Sequence, residues 1–284
     1  MVLRRIKTYG ELVMFSHTLF SLPFALIGMI WAAQGLPSAD TVFWIVIAFV
    51  GARNGANALN RWVDKDIDKK NPRTADRHLP QGVVKPYEVW GMVLFCFALF
   101  ILAAYQLNPL CLALTPAALF LFILYSYTKR FTWACHIVLG LACAGAPVGA
   151  WIAVTGRFAL PPLILSAVVA LWVAGFDIIY GTQDIAFDRQ NGLFSIPAIF
   201  GLQRALRISR LFHFMMILLL ISLYFLMALS WIYLSGIFIS AVLLGIEHYM
   251  ISPANAAKMK IASYNINQIV SLLIFLFVLL DTVM

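Results

Sequence analysis

Hydrophobic residues run along this chain in long spans, and most polar residues are confined to the segments between them. Each span is close to the ~20 apolar residues that a helix needs to cross a bilayer. The spans lie, to within a few residues, at 12–33, 41–61, 87–106, 109–126, 133–154, 161–180, 205–229, 231–250 and 263–283. The pattern predicts an all-α, polytopic membrane protein of about nine transmembrane helices.

The composition supports the same fold class. Of the 284 residues, 63% are hydrophobic and only 11% are charged, whereas soluble domains carry about 25% charged residues. Most of the surface is therefore expected to face lipid, and we interpret residues 1–284 as one helical membrane domain. The first span, 12–33, is too long for the apolar part of a signal peptide, so we expect it to be retained as a helix.

The distribution of basic residues predicts how the helices are oriented. With nine helices and a cytoplasmic N-terminus, every Lys and Arg except Arg157 falls in a segment on the cytoplasmic side, as the positive-inside rule requires. Membrane topology thus explains the net charge of +8, and we expect no nucleic acid partner. Two long loops, about 62–86 and 184–204, lie on this same side, where functional residues are expected to concentrate.

Two polar clusters repeat the same spacing 120 residues apart. The first ends the second span and the other ends the sixth. Their members are Asn57, Asn60, Asp64 and Asp68 in the first cluster, and Asp177, Tyr180, Asp184 and Asp188 in the second. Spacings of 3, 4 and 4 place each set on one face of a helix. We interpret the repeat as the trace of a duplication of helices one to four and five to eight.

The aspartates of these clusters suggest a magnesium site. Carboxylates at the end of a membrane span are costly and usually mark a functional site. Several of them around one pocket repel one another unless a cation is present. Mg²⁺ prefers oxygen ligands and is commonly held by one or two carboxylates together with substrate phosphates. The alternative is that the aspartates only cap helix ends or pair with neighbouring cations, namely Lys65, Lys69, Lys70 and Arg189.

Four segments resemble motifs of the UbiA family of intramembrane aromatic prenyltransferases. Asn60-Arg-Trp-Val-Asp64-Lys-Asp-Ile-Asp68 is similar to the NDxxDxxxD motif of the family, and Asp177-Ile-Ile-Tyr180-Gly-Thr-Gln-Asp184-Ile-Ala-Phe-Asp188 to its DxxYxxxDxxxD motif. Segment 72–82 resembles the loop after the first motif, and segment 125–132 resembles the loop between helices four and five. The resemblance implies nine helices around a central cavity, capped by the two long cytoplasmic loops.

The resemblance also implies roles for individual residues. The catalytic, Mg²⁺-binding carboxylates are Asp64, Asp68, Asp184 and Asp188. The expected diphosphate-binding residues are Asn60, Arg61, Lys129, Arg130 and Tyr180, and the expected acceptor-binding residues are Arg53, Asn57 and Asp177. Two positions depart from the family pattern: Arg61 replaces the usual aspartate, and the segment Gly192-Leu-Phe-Ser195 lacks the usual lysine. An arginine at position 61 is expected to bind diphosphate oxygens directly.

The function implied is transfer of a polyprenyl group from a polyprenyl diphosphate to a hydroxylated aromatic acid of the 4-hydroxybenzoate type, in respiratory quinone synthesis. The same chemistry on 1,4-dihydroxy-6-naphthoate, in menaquinone synthesis, is an alternative. Haem farnesyltransferase and chlorophyll synthase share the fold. A transporter and a phosphatidyl-type transferase are alternatives from other classes. The expected location is a bacterial-type inner membrane, with the active site on its cytoplasmic face.

Overall fold

The computed structural model describes residues 2–251 and 262–284, except for the side chains of residues 2–4, 6, 16, 17, 19, 20, 262 and 263. All regular structure in this described part is helical, as predicted. The helices are α1 (Val2–Leu12), α2 (Phe15–Ala33), α3 (Ala39–Val63), α4 (Lys65–Lys70), α5 (Pro86–Leu107), α6 (Pro109–Thr128), α7 (Cys135–Thr155), α8 (Leu160–Gly181), α9 (Ile185–Gln190), α10 (Ile196–Met227), α11 (Trp231–Met250) and α12 (Asn267–Val283).

The length and hydropathy of the helices make the chain an integral membrane protein. Eight helices of the described part are long and apolar enough to cross a membrane, and Ser21–Ala33 is apolar but shorter. The count of nine spans therefore stays a prediction, as do the central cavity and the cytoplasmic cap. Residues Lys258 and Lys260, which contribute to the predicted orientation, lie outside the described residues.

The first predicted span, 12–33, is wrong at its beginning. The chain breaks at Met14, which has a positive φ of 51°, so that α1 ends at Leu12 and α2 begins at Phe15. The side-chain amide of Asn57 donates to the Val13 carbonyl at 2.7 Å, and Leu12 and Val13 are both buried. Tertiary contacts therefore stabilise a break that the local sequence, which contains no Gly or Pro at this point, does not indicate.

The predicted loop 184–204 is wrong in its interior and at its end. It contains α9, and α10 begins at Ile196, nine residues before the predicted seventh span at 205. Ser195 caps α10, since its hydroxyl oxygen accepts from the Ala198 amide at 3.2 Å. The backbone of α10 is interrupted at Gly201, where φ is 77°. The first turn, residues 196–200, is apolar, but Gln203 and Arg204 separate it from the predicted span, which is why hydropathy alone missed it.

The chain forms two compact units: Met1–Leu22 with Ser38–Tyr127, and Pro23–Pro37 with Thr128–Met284. In unit 1, α3 packs against α5, and the buried loop residues Leu79 and Val84 join the same apolar cluster as Ala58 and Val89. The segment after α4 is thus folded onto this core instead of extending into solvent. The family pattern predicted a single domain over residues 1–284, and this stays a prediction.

In unit 2, α8 packs against α7 and α10 around the buried Trp172. The indole Nε1 of Trp172 donates to Asn267 Oδ1 at 2.6 Å, and Asn267 Nδ2 donates to Glu247 Oε1 at 2.9 Å. Small residues allow the backbones to approach closely, as is common between membrane helices. A Cβ added at Gly140 of α7 would collide with the backbone carbonyl of Ala170 of α8.

We expect Gly140→Ala to destabilise the protein by about 1–3 kcal/mol, because the added methyl group meets backbone atoms that cannot rotate away. Gly145→Ala is the matched control on α7, since an added Cβ there has no heavy atom within 4 Å. Alanine is the better helix former by about 1 kcal/mol, so the control should be neutral or stabilising. Thermal unfolding in detergent measures both. Equal stability of the two variants would contradict the close helix contact.

Candidate active site

The first aspartate cluster lies where α3 ends in unit 1. Asp64 forms the junction between α3 and α4, with φ −91° and ψ 2°, so the predicted column on one helix is interrupted there. The Asp68 amide still donates to the Asp64 carbonyl at 2.7 Å, which keeps the two side chains one turn apart. Asp64 and Asp68 are each only 4% exposed. One buried carboxylate therefore stands at the end of α3, and a second follows one turn later in α4.

Each of these carboxylates has neighbours that fix it in place. Asn60 Nδ2 donates to Asp64 Oδ2 at 3.3 Å. Arg77 Nη1 lies 2.7 Å from Asp68 Oδ2, and Arg61 Nη1 lies 3.8 Å from the same oxygen. The Thr74 hydroxyl donates to the Asp68 backbone carbonyl at 3.0 Å, so the loop that carries Arg77 is tied to α4.

The ion pairs differ from those of the alternative reading, in which the aspartates pair with nearby lysines. Lys65 lies over the Trp62 ring, 5.0 Å from its centroid, and Lys69 and Lys70 are exposed. The partners of Asp68 are instead two arginines. A guanidinium group binds phosphate oxygens as well as carboxylates, so these two arginines are suited to a phosphate ligand.

Arg61, the position that departs from the family pattern, also contacts the N-terminal segment. Its Nη2 lies 2.9 Å from Met14 Sδ, at the break between α1 and α2. The charged group therefore stands beside Asp68 and is held in place from the other side by Met14. The structure places Arg61, a predicted diphosphate-binding residue, next to the predicted metal ligand Asp68.

The second cluster, in unit 2, repeats the helix break of the first. The long helix α8 ends at Gly181, a short 3₁₀ turn covers Thr182–Asp184, and the six-residue α9 follows. Asp184 has φ −103° and ψ 6°, close to the values at Asp64. The predicted internal repeat thus extends to the backbone: a junction aspartate between a long and a six-residue helix, with a second aspartate four residues on.

The carboxylate of Asp188 is anchored by the segment that follows it. The Ser195 hydroxyl donates to Asp188 Oδ2 at 2.9 Å, and the Leu193 amide donates to the Asp188 backbone carbonyl at 2.8 Å. Gly192, with φ 64°, makes the turn between them, a conformation that favours glycine. Where the family pattern has a lysine, this chain has Phe194, and the serine that follows binds Asp188.

The predicted diphosphate-binding residues of unit 2 lie beside this turn. The Phe194 amide donates to the Lys129 carbonyl at 2.7 Å, so the turn that carries Lys129 and Arg130 is joined to the segment after the second motif. Tyr180 packs edge-on against Tyr264, with ring centroids 4.9 Å apart. The structure thus brings the turn of Lys129 and Arg130 close to the segment that follows the second cluster, and their role in diphosphate binding stays a prediction.

The three predicted acceptor-binding residues fall into different environments. Arg53 is half-buried on α3, one turn before Asn57. The Asn57 amide is occupied by the Val13 carbonyl, which is a structural role. Asp177 Oδ2 lies 2.7 Å from His136 Nδ1. An acceptor-binding role stays a prediction for all three.

The donor atoms of each cluster are suited to magnesium. Every predicted metal ligand is a carboxylate oxygen, which Mg²⁺ prefers. No three carboxylate, His or Cys side chains are close enough to enclose an ion within residues 2–251 and 262–284. Two aspartates per cluster are what an ion needs when substrate phosphates and waters complete its coordination. The residues present therefore fit a magnesium ion held jointly with a phosphate ligand.

Comparison with known proteins identifies the fold and the chemistry. The sequence profile of the UbiA prenyltransferase family matches residues 21–275. The chain belongs to this family. It is therefore a membrane prenyltransferase, which confirms the predicted family and enzyme class and sets aside the transporter and the phosphatidyl-type transferase.

Two curated relatives belong to different branches of the family. Over 199 residues, 69% of this chain and 70% of the relative, the chain is 31% identical to 4-hydroxybenzoate octaprenyltransferase of Vibrio parahaemolyticus. Over 166 residues, 57% of this chain and 54% of the relative, it is 36% identical to protoheme IX farnesyltransferase of Methylococcus capsulatus. The first alignment covers more of both proteins.

Solved structures of UbiA homologues share the fold. The apo structure of a homologue from Aeropyrum pernix K1 superposes with a TM-score of 0.85 at 32% identity, covering 94% of this chain and 98% of that one. A homologue from Archaeoglobus fulgidus, bound to GPP and Mg²⁺, superposes with a TM-score of 0.73 at 19% identity, covering 98% and 100% of the two chains.

Three residues of the site were not assigned by the sequence: Arg77 beside Asp68, Ser195 beside Asp188, and His136 beside Asp177. Arg77 and Ser195 follow their aspartates by nine and seven residues, beyond the ends of α4 and α9, so helical periodicity does not connect them. His136 precedes Asp177 by 41 residues and has no metal-ligand spacing. A polar residue at the start of an apolar helix was the only signal for it.

Proposed function

We propose that this prenyltransferase transfers a polyprenyl group from a polyprenyl diphosphate to a hydroxylated aromatic carboxylic acid of the 4-hydroxybenzoate type, in respiratory quinone synthesis. The observation that carries the proposal is the duplicated helix break, which presents a junction aspartate and a second aspartate four residues later in each unit. The similarity to a 4-hydroxybenzoate octaprenyltransferase over 69% of the chain favours this acceptor class.

In the proposed reaction Asp64, Asp68, Asp184 and Asp188 hold Mg²⁺. When bound, the metal neutralises charge on the diphosphate and stabilises it as the leaving group. Arg61 and Arg77 of unit 1, and Lys129 and Arg130 of unit 2, bind diphosphate oxygens and replace the water that the anion loses on binding. Tyr180 and the amide of Asn60 orient the same group.

The acceptor and the donor chain are bound by different means. The fixed charge of Arg53 orients the acceptor carboxylate through two parallel hydrogen bonds. The polyprenyl chain is insoluble in water, so we propose that it enters from the bilayer that surrounds the apolar helices. The basic residues of the loops favour a reaction on the cytoplasmic face of a bacterial-type inner membrane.

The test is incubation of the purified protein in detergent with Mg²⁺, a polyprenyl diphosphate and one aromatic acceptor at a time, followed by mass analysis. We expect prenylated product from 4-hydroxybenzoate, and none when the diphosphate is replaced by the free alcohol. The acceptor panel includes 1,4-dihydroxy-6-naphthoate and haem. Product from the naphthoate alone would move the function to menaquinone synthesis, and product from haem alone would contradict an aromatic acid acceptor.

A further inference from the structure

His136 is buried beside the second motif in an arrangement that the proposed metal and diphosphate chemistry does not use. It lies at the start of α7 and is 5% exposed. Its Nδ1 is 2.7 Å from Asp177 Oδ2, whose side chain is 25% exposed. Its Nε2 is buried and has no hydrogen-bond partner in the part of the chain that the structure describes. Nδ1 is thus held by the Asp177 carboxylate, and Nε2 is left able to bind a ligand.

The Cε1 and Nε2 atoms of the His136 ring lie against the last turn of α8, on the helix face that carries Asp177. Gly181, one turn after Asp177, allows this position, because a Cβ there would lie 2.9 Å from His136 Cε1 and 3.5 Å from Nε2. Pro197 Cγ bounds the same space, 3.6 Å from that Cβ position. The unpartnered nitrogen therefore lies between Asp177 and the end of α8, where Asp184 follows.

The pairing with Asp177 favours one state of the ring. When Nδ1 carries the proton and donates it to the carboxylate, Nε2 presents a lone pair. The carboxylate also stabilises the imidazolium that forms if Nε2 then takes up a proton. A buried acceptor without a donor costs free energy, so a ligand hydroxyl that donates to Nε2 would be bound favourably at this point.

We propose that His136 is the general base of the reaction, that its Nε2 removes the proton from the ring hydroxyl of the acceptor, and that Asp177 positions it. This inference rests on the proposed function for its acceptor, a hydroxylated aromatic ring. It assigns Asp177 a role through His136 instead of direct contact with the acceptor.

As the ring carbon next to the hydroxyl-bearing carbon forms a bond to the allylic carbon, the bond from that carbon to the diphosphate oxygen breaks, and the hydroxyl proton passes to Nε2. The ring is then a neutral dienone that carries both hydrogen and the prenyl group on one carbon. That hydrogen leaves as a proton to the departed diphosphate, and the oxygen recovers its proton from Nε2.

The test compares His136→Gln and Asp177→Asn across acceptors whose phenols differ in acidity, such as 4-hydroxybenzoate and its mono- and difluorinated derivatives. We expect each variant to lower kcat about 100-fold on 4-hydroxybenzoate, the lower end for loss of a general base. The loss should shrink towards a few-fold on the most acidic phenol, because that acceptor is already ionised and needs no base. Added imidazole should restore part of the activity of His136→Gln.

His213→Gln is the matched control. His213 is equally buried in unit 2, but its Nδ1 is paired with His248 Nε2 at 3.0 Å. Any loss in this variant should be the same for every acceptor. A loss in His136→Gln that does not vary with phenol acidity would overturn the assignment of a base and leave a packing role.

A second measurement keeps the inference testable apart from the proposed acceptor. Nitrogen-15 histidine spectra of the wild type and of His136→Gln assign the ring by difference. We expect a neutral ring protonated at Nδ1, and conversion to another state in Asp177→Asn. A ring protonated on both nitrogens at the assay pH would overturn the proposal. If instead no aromatic acid is prenylated, the proposed function fails, while these spectra still decide whether His136 presents a lone pair.

Discussion

Asp68→Asn is expected to reduce kcat by about 10²–10⁴-fold, while Asp66→Asn on the same short helix leaves it nearly unchanged. A bound metal contributes several kcal/mol to stabilising the leaving group, and each 1.36 kcal/mol corresponds to a factor of ten in rate. Asp68 is buried and Asp66 is exposed, so the two variants compare the same Asp-to-Asn change at a buried and at an exposed position. Initial rates at saturating substrate, with Mg²⁺ varied, provide the measurement.

The ion pair of Asp68 with Arg77 has to be separated from metal binding. Arg77→Ala removes the same contact, 2.7 Å long, and leaves the carboxylate in place. If Asp68 only stabilises the fold, both variants should lose stability and activity together. If Asp68 binds the metal, Asp68→Asn should raise the Mg²⁺ concentration needed for half-maximal rate. Arg77→Ala should instead chiefly raise the KM of the diphosphate donor.

The equivalent substitutions Asp64→Asn, Asp184→Asn and Asp188→Asn should behave as Asp68→Asn does, and EDTA should abolish turnover of the wild type reversibly. Near-normal activity in three of the four variants, or a rate that is insensitive to EDTA, would show that the two clusters do not hold a catalytic metal.

Much of the fold follows from hydropathy because a membrane span has to be apolar over its whole length. The interior spans, such as α5 and α6, begin and end within a few residues of their predicted limits. The prediction fails where tertiary contacts decide the backbone. The break at Met14 depends on Asn57, 44 residues away from Val13, and no local rule connects the two.

In the candidate site, too, some residues could be predicted from the sequence and others could not. The aspartates were predictable because their repeated spacing is visible in the sequence. Their partners were not, because Arg77, Ser195 and His136 reach them across turns or from another helix. The spacing also suggested an unbroken helical column in each cluster, whereas both columns change direction at an aspartate. A three- or four-residue spacing is compatible with a tight junction as well as with a continuous helix.

Arg53→Ala is expected to raise the KM of the aromatic acid by about 30-fold or more and to change the KM of the polyprenyl diphosphate much less. Loss of one partner of a buried charged pair costs roughly 2–5 kcal/mol, and every 1.4 kcal/mol is about tenfold in affinity. Arg53→Lys should recover only part of the affinity, because an ammonium group lacks the planar fork that binds both carboxylate oxygens. Arg157→Ala, at an exposed arginine, controls for loss of positive charge.

The competing interpretation is that Arg53 pairs with Asp64 or Asp68 and serves folding. The structure weakens it for Asp68, whose Oδ2 already has Arg77 and Arg61 as neighbours. A folding role predicts a lower unfolding temperature for Arg53→Ala and similar damage to both KM values. Carboxylate binding predicts instead that the variant and the wild type prenylate a phenol without the carboxylate equally well. Full wild-type activity on such a phenol, with the same KM as for the acid, would remove the need for an anchoring cation.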